Sequence, residues 1–220
     1  MTHFNRRQFG LLLASGAATL ALPTYLRAQA KPKVVVIGGG AGGATAARYI
    51  AKDSKGDIDV TLIDASEIFT TCFFSNLYLG GYRDFASITH GYDRLESNYG
   101  IKKITDYATA VDRAAKTVTL ADGSSVPYDR LVVSPGIDLI YDSVEGYSEE
   151  AAQIAPHAWK AGPQTQLLKA KLDAVKDGEQ IVMVTPPNPF RCPPGPYERA
   201  SMMAHLLKSR GFVNSKVIII

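Results

Sequence analysis

Cysteine is scarce in this sequence: Cys72 and Cys192 are the only two in 220 residues. No C-x-x-C-H run is present, so the chain carries no haem of its own, and there is no C-x4-C pair. The four histidines, His3, His90, His157 and His205, are too widely spaced for a metal-ligand motif. His90 and His157 read as structural or surface groups. Basic runs are also lacking beyond the amino terminus. Residues 1–30 hold Arg6, Arg7 and Arg27 and no acid, and without them 21 basic residues face 21 acidic ones. The alkaline balance therefore belongs to the amino terminus, and a nucleic-acid footprint is excluded.

Long hydrophobic runs are missing too. The apolar stretch from Gly10 to Leu22 is too short to span a bilayer comfortably. It follows a twin arginine and Phe9, and it precedes a small-x-small site, Ala28-Gln29-Ala30. Residues 1–30 read as a twin-arginine signal peptide, which exports a folded, cofactor-loaded protein. The expected destination is a periplasm, where cysteines can oxidise. In that setting Cys72, inside "IFTTCFFSN", has three readings: half of a structural disulfide, a core filler, or a bond to something other than protein.

The segment after the leader carries the first chemistry. Val34 to Ile37 is a short β-branched run of the kind found in buried parallel strands. Gly38, Gly40 and Gly43 complete G-x-G-x-x-G, and an Ala-rich stretch to about Ala51 places Ala44, Ala47 and Ile50 at helical spacing. Strand, glycine turn and helix together form a cradle for a pyrophosphate at the positive helix end. "DVTLID" supplies a second strand, and Asp64, 21 residues beyond Gly43, is placed to accept a hydrogen bond from a ribose hydroxyl.

Further strands are expected at Ala108 to Val111, Thr117 to Leu120 and Leu131 to Val133, with a tight turn at Asp122-Gly123. Ser134-Pro135-Gly136 follows, a small-residue turn where backbone can approach a ligand. As pattern alone this is equally a β-meander with no ligand. The form "YDxLVxSPG" resembles the two-dinucleotide-domain flavoproteins. That resemblance implies that the turn contacts FAD and that the glycine loop holds the ADP half of FAD.

The plan then restarts. Leu167, Leu168, Leu172 and Val175 share one helical face, Ile181 to Val184 reads as a strand, and about Tyr197 to Ser209 as a helix. "SKVIII" reads as a further strand, and the chain as the amino-terminal portion of a longer protein. A second nucleotide domain needs a glycine-rich loop after Val184. Here Pro186, Pro187, Pro189, Pro193 and Pro194 surround Cys192, and Gly195 is the only glycine. Prolines remove the N–H donors that cradle a pyrophosphate, so a nicotinamide nucleotide is not expected here. The loop instead reads as a mount for one thiol at a helix start, where the helix terminus and Arg191 favour a thiolate. Glu198 is a candidate proton-exchanging group. The alternative is a proline-rich surface turn with a structural cysteine.

"VVVIGGGAGGATAARYI", "TCFFSN", "HGYD", "YDRLVVSPGIDLIYDSVEGYSEEAA", "PHAWKAG" and "FRCPPGPYERAS" together resemble the flavoprotein subunit of flavocytochrome c sulfide dehydrogenase. The resemblance implies an α/β two-dinucleotide-binding-domain flavoprotein. Its Rossmann-like FAD domain would occupy 31–145, with a β-hairpin or meander insertion, followed by a connecting helical segment at 146–178. Residues 179–220 would begin a second nucleotide-binding-like domain, left incomplete. It further implies that Cys72 carries FAD through a thioether, that Cys192 is a redox-active thiol pairing with a later cysteine, and that Glu198 is an acid/base near the flavin. Gly38, Gly40, Gly43, Asp64, Ser134, Pro135 and Gly136 complete the implied FAD site, with Asp64 where the family has glutamate.

The implied activity is oxidation of hydrosulfide with a c-type cytochrome subunit as acceptor and haem only on that partner. No metal site and no transmembrane span after the leader are expected. A sulfide:quinone oxidoreductase and a non-catalytic periplasmic electron-transfer flavoprotein are the alternatives. A nicotinamide-dependent disulfide reductase is disfavoured, because the C-x4-C pair and the second glycine loop are both missing.

Overall fold

The computed structural model describes residues 30–220, so the leader read over 1–30, apart from its last residue, lies outside the described residues. In chain order come β1 (Lys33–Ile37), α1 (Ala41–Asp53) and β2 (Asp59–Ile63). Next are β3 (Ile68–Thr70), a 3-10 turn at Cys72–Phe74, α2 (Ser75–Leu79), β4 (Thr89–Gly91) and α3 (Asp93–Tyr99). β5 (Lys102–Ile104), β6 (Ala108–Asp112), β7 (Thr117–Leu120), β8 (Ser125–Pro127) and β9 (Arg130–Val133) follow. α4 (Pro163–Ala174), β10 (Gln180–Met183), α5 (Gly195–Ser209) and β11 (Lys216–Ile219) complete the order.

The first sheet is wholly parallel, in the order β5-β2-β1-β9. Its central strand explains the continuous valine run, because both faces are covered. Val34 and Val36 face a core with Ala47, Ala51, Leu62 and Tyr92, while Val35 faces Ile63, Val118 and Leu120 of the opposite core. β6, β7 and β8 form an antiparallel three-stranded meander whose β7 supplies that second cover. The meander expected from sequence is therefore present. Its Asp122-Gly123 turn uses a left-handed glycine, φ +84°.

The buried stripe of α1 is Gly43, Ala47 and Ala51, with the expected Ala44 and Ile50 only half-buried beside it. Small residues at that spacing let the helix sit close to the sheet. β10 and β11 form a separate parallel pair. Leu79, Leu172, Met203 and Leu206 join α2, α4 and α5 in a third core, against which Ile181, Met183 and Val217 pack. Val175, expected on the α4 face, lies one residue past the helix with extended backbone, φ −60° and ψ 136°. α5 begins at Gly195, two residues earlier than the spacing suggested, because Pro196 is compatible with a first helical turn. Among the described residues no helix is long and apolar enough to cross a membrane.

Candidate functional site

The glycine loop lies between β1 and α1, and its residues are small for reasons of contact. A Cβ on Gly38 would stand 1.9 Å from Ser134 O, and one on Gly43 would stand 1.8 Å from Gly38 O. Gly38 also has φ +96°, a backbone region that favours glycine. Gly40 differs, since a Cβ there would meet only Phe69 at an ordinary 3.6 Å. Protein packing therefore does not require glycine at 40, and the open side faces the start of α1. No side chain caps that helix and no acid stands in its first turn. Its amides and dipole are thus available to an anion.

Asp64, just beyond β2, is held against this loop. Its Oδ2 accepts the Gly39 N–H at 2.6 Å and its Oδ1 accepts the Ser66 N–H at 2.8 Å. Tyr92 donates to Gly39 O at 3.1 Å, and Lys103 Nζ donates to Asp64 O at 2.8 Å. Burial, then the charge of Asp64, pushes the Tyr92 phenol up to about 12. Burial lowers Lys103 against the opposing pull of Asp64, Glu96 and Glu67. Ser134 continues β9 by donating its N–H to Ile37 O at 2.8 Å. Ser134 and Pro135 thus turn directly over Gly38, and Gly136, φ +82°, is the next residue of the turn. Gly38, Gly40, Gly43, Asp64 and Ser134 form one cradle, and its open helix end and empty Gly40 face fit a pyrophosphate.

The thiols stand at two exposed turns. Phe69 lies against Gly40, and three residues further along Cys72 opens an exposed 3-10 turn. Cys192 is also exposed, and neither cysteine is in a disulfide. Cys192 has φ +63°, an uncommon conformation for a residue other than glycine, and its carbonyl accepts the Gly195 N–H at 2.9 Å. The thiol lies beside the first residue of α5, at 3.3 Å from the Cβ position of Gly195, with the Trp159 ring on the same residue at 3.0 Å. Any larger residue at 195 would displace one of them.

Glu198, in the first turn of α5, lines a cleft of about 550 Å³ with Asn76, Tyr197, Ser201 and His205. Asn76 Oδ1 is buried without a hydrogen-bond partner among the described residues. His205 meets the Tyr82 hydroxyl at the cleft edge. His157 stands outside any metal group: its Nδ1 accepts the Trp159 N–H at 2.9 Å, and burial, then Lys160 and Arg199, lower its pKa. Among the described residues no cluster could hold a metal ion.

Sequence reasoning assigned no role to Tyr92, Lys103, Ser75 or Arg199. Arg199 lies within "FRCPPGPYERAS", but nothing in that string marks its guanidinium. Arg191, expected as the cation beside Cys192, is exposed and forms no ion pair among the described residues. Arg199 is a further guanidinium near both cysteines.

Residues 32–183 match the family model of the pyridine nucleotide-disulphide oxidoreductases. The chain belongs to that family. Residues 165–220 match a further model, the central part of the sulfide dehydrogenase (flavocytochrome c) flavoprotein chain. The sulfide-quinone reductase of Aquifex aeolicus (strain VF5) is 33% identical over 181 residues, 81% of this chain and 40% of that protein. The sulfide dehydrogenase (flavocytochrome c) flavoprotein chain of Chlorobaculum thiosulfatiphilum is 50% identical over 44 residues, 20% of this chain and 90% of that sequence.

The X-ray structure of the Aquifex aeolicus sulfide:quinone oxidoreductase has a TM-score of 0.70 and 27% identity, over 86% of this chain and 43% of that one. The chain thus spans about two fifths of the length of the longer relatives it matches. The α/β fold of this pyridine nucleotide-disulphide oxidoreductase is that of an FAD-binding flavoprotein.

Proposed function

We propose that the protein is a sulfide-oxidising flavoprotein that draws electrons from hydrosulfide through Cys192 and passes them to a c-type cytochrome subunit. The observation that carries this reading is the loop after β10. Where a second nucleotide cradle would need glycines, prolines frame a single thiol held in a strained backbone at the head of α5. The match of residues 165–220 supports the same reading.

The residues divide the work. The first-turn amides of α1 and the bared face of Gly40 take the pyrophosphate of FAD, and Asp64 takes the ribose. Cys72 anchors the cofactor through a thioether, which suits an exported protein that cannot replace lost FAD. Bound FAD supplies an acceptor for an electron pair that can be released one electron at a time. Cys192, paired as a disulfide with a later cysteine, receives hydrosulfide on its sulfur, and the pair's other thiolate leaves. Glu198 exchanges protons beside it. Export by the twin-arginine route places the protein in the periplasm, with haem confined to the partner.

A quinone acceptor is the second reading, favoured by the 33% identity to a sulfide-quinone reductase. Sulfide-dependent reduction of cytochrome c and of a soluble quinone by the full-length protein separates the two. Cytochrome reduction with an inert quinone is expected; the reverse pattern contradicts the cytochrome assignment.

A further inference from the structure

Three segments distant in sequence meet on one guanidinium. Arg199, one turn into α5, donates from one terminal nitrogen to Ala158 O at 3.0 Å and from the other to Ser75 Oγ at 3.1 Å. Ser75 is buried, and its hydroxyl donates onward to Cys72 O at 2.6 Å. Ala158 precedes Trp159, whose ring shares Gly195 with Cys192 Sγ. The contacts therefore run from the Cys72 turn, through Arg199, to the wall of the Cys192 thiol.

Backbone conformation marks the same place. Ala158 and Cys192 are two of the four non-glycine residues among the described residues with left-handed φ, at +47° and +63°. Such conformations persist only where surrounding contacts hold them, and Arg199 supplies one of those contacts to Ala158. Charge points the same way. Arg199 is part-buried, yet none of the ion pairs among the described residues includes it. Burial lowers its pKa, and attraction to Cys72 and then Cys192 opposes that shift. A part-buried cation without a counter-ion is costly, and a nearby thiolate would relieve it.

We propose that Arg199 is the positioning residue that ties the Cys72 turn to the Cys192 site. Its fork holds the Cys72 turn and the Trp159 loop to α5, and its charge is the counter-ion for a thiolate at Cys192. This rests on Cys192 being the reactive thiol. The titratable groups that face Arg199 are Cys72, Cys192 and His157; Lys160 stands beside His157, and Arg191 and Glu198 flank the Cys192 loop in sequence. His157 is held toward its neutral form, and Lys160 is paired with Asp138 at 2.9 Å.

The test is alkylation of Cys192 by iodoacetamide in reduced full-length protein, from about pH 5 to about pH 10, read by mass spectrometry of its peptide. Arg199→Gln is expected to slow the reaction about three- to tenfold near neutral pH, with the gap closing at alkaline pH. Arg199→Lys keeps the charge but loses the fork, so its profile is expected to fall between those of Arg199→Gln and wild type. Superimposed profiles for Arg199→Gln and wild type would overturn the proposal. Should Arg199→Gln not fold, Arg199→Lys and Ser75→Ala carry the test. Both keep the charge but cut the fork's hold on the Cys72 turn, so each is expected to slow Cys192 alkylation near neutral pH; profiles superimposed on wild type in both overturn the proposal. Alkylation needs neither sulfide nor acceptor, so a protein inert to sulfide that still shows this profile would sink the sulfide reading alone.

Discussion

Asp64 Oδ2 accepts the Gly39 N–H at 2.6 Å, so the acid that ends β2 is fastened to the turn that leaves β1. One carboxylate oxygen braces the glycine loop while the other caps Ser66. Position and orientation of the expected ribose acceptor are thus fixed by the loop that would hold the phosphates.

The glycines of that loop separate packing from binding. Gly43→Ala would drive a methyl to 1.8 Å from Gly38 O, and it should cost about 1–3 kcal/mol of stability together with flavin content. Gly40→Ala meets only Phe69 at 3.6 Å, so its melting point should barely move while FAD retention falls. Thermal unfolding and flavin content measured on both variants check this; equal loss of stability in the two contradicts it.

Tyr92→Phe should cost about 1 kcal/mol, the usual value of one hydrogen bond, here to Gly39 O. The native state holds the phenol proton up to about 12, above the ordinary tyrosine value of about 10. Folded protein therefore binds more proton between those values, and stability should fall as pH rises through them. Denaturant melts across alkaline pH should show that decline in wild type and its loss in Tyr92→Phe.

His157 gives the opposite sign. Burial, Lys160 and Arg199 lower its pKa, so the unfolded chain binds the proton more readily. Its contribution is present above the unfolded value of about 6.5 and is lost as pH falls below it. Melts of His157→Gln should show a shallower acid decline than wild type; identical declines would contradict this role.

The cradle was legible because its parts are local. Strand, glycines, helix and Asp64 lie within one βαβ unit, and the valine run already indicated a sheet covered on both faces. The proline loop was legible as an interruption of the same plan. Tyr92 was not, because it reaches Gly39 across 53 positions, and Ser75–Arg199 spans 124. No periodicity carries such pairs. The antiparallel β3–β4 pair was not legible either, since three-residue strands are too short for alternation to show.

Cys72 tests the cofactor's attachment. Full-length protein run on a denaturing gel should keep flavin fluorescence with the polypeptide, and Cys72→Ser should release it. Fluorescence retained by the variant would rule out the thioether at this residue.

The central assignment, sulfur chemistry at Cys192 coupled to flavin, is met most directly by anaerobic addition of sulfide to the full-length protein while flavin absorbance is followed. Absorbance should bleach in wild type and persist in Cys192→Ser with flavin still bound. An unbleached wild type, or a variant that bleaches as fast, would contradict it.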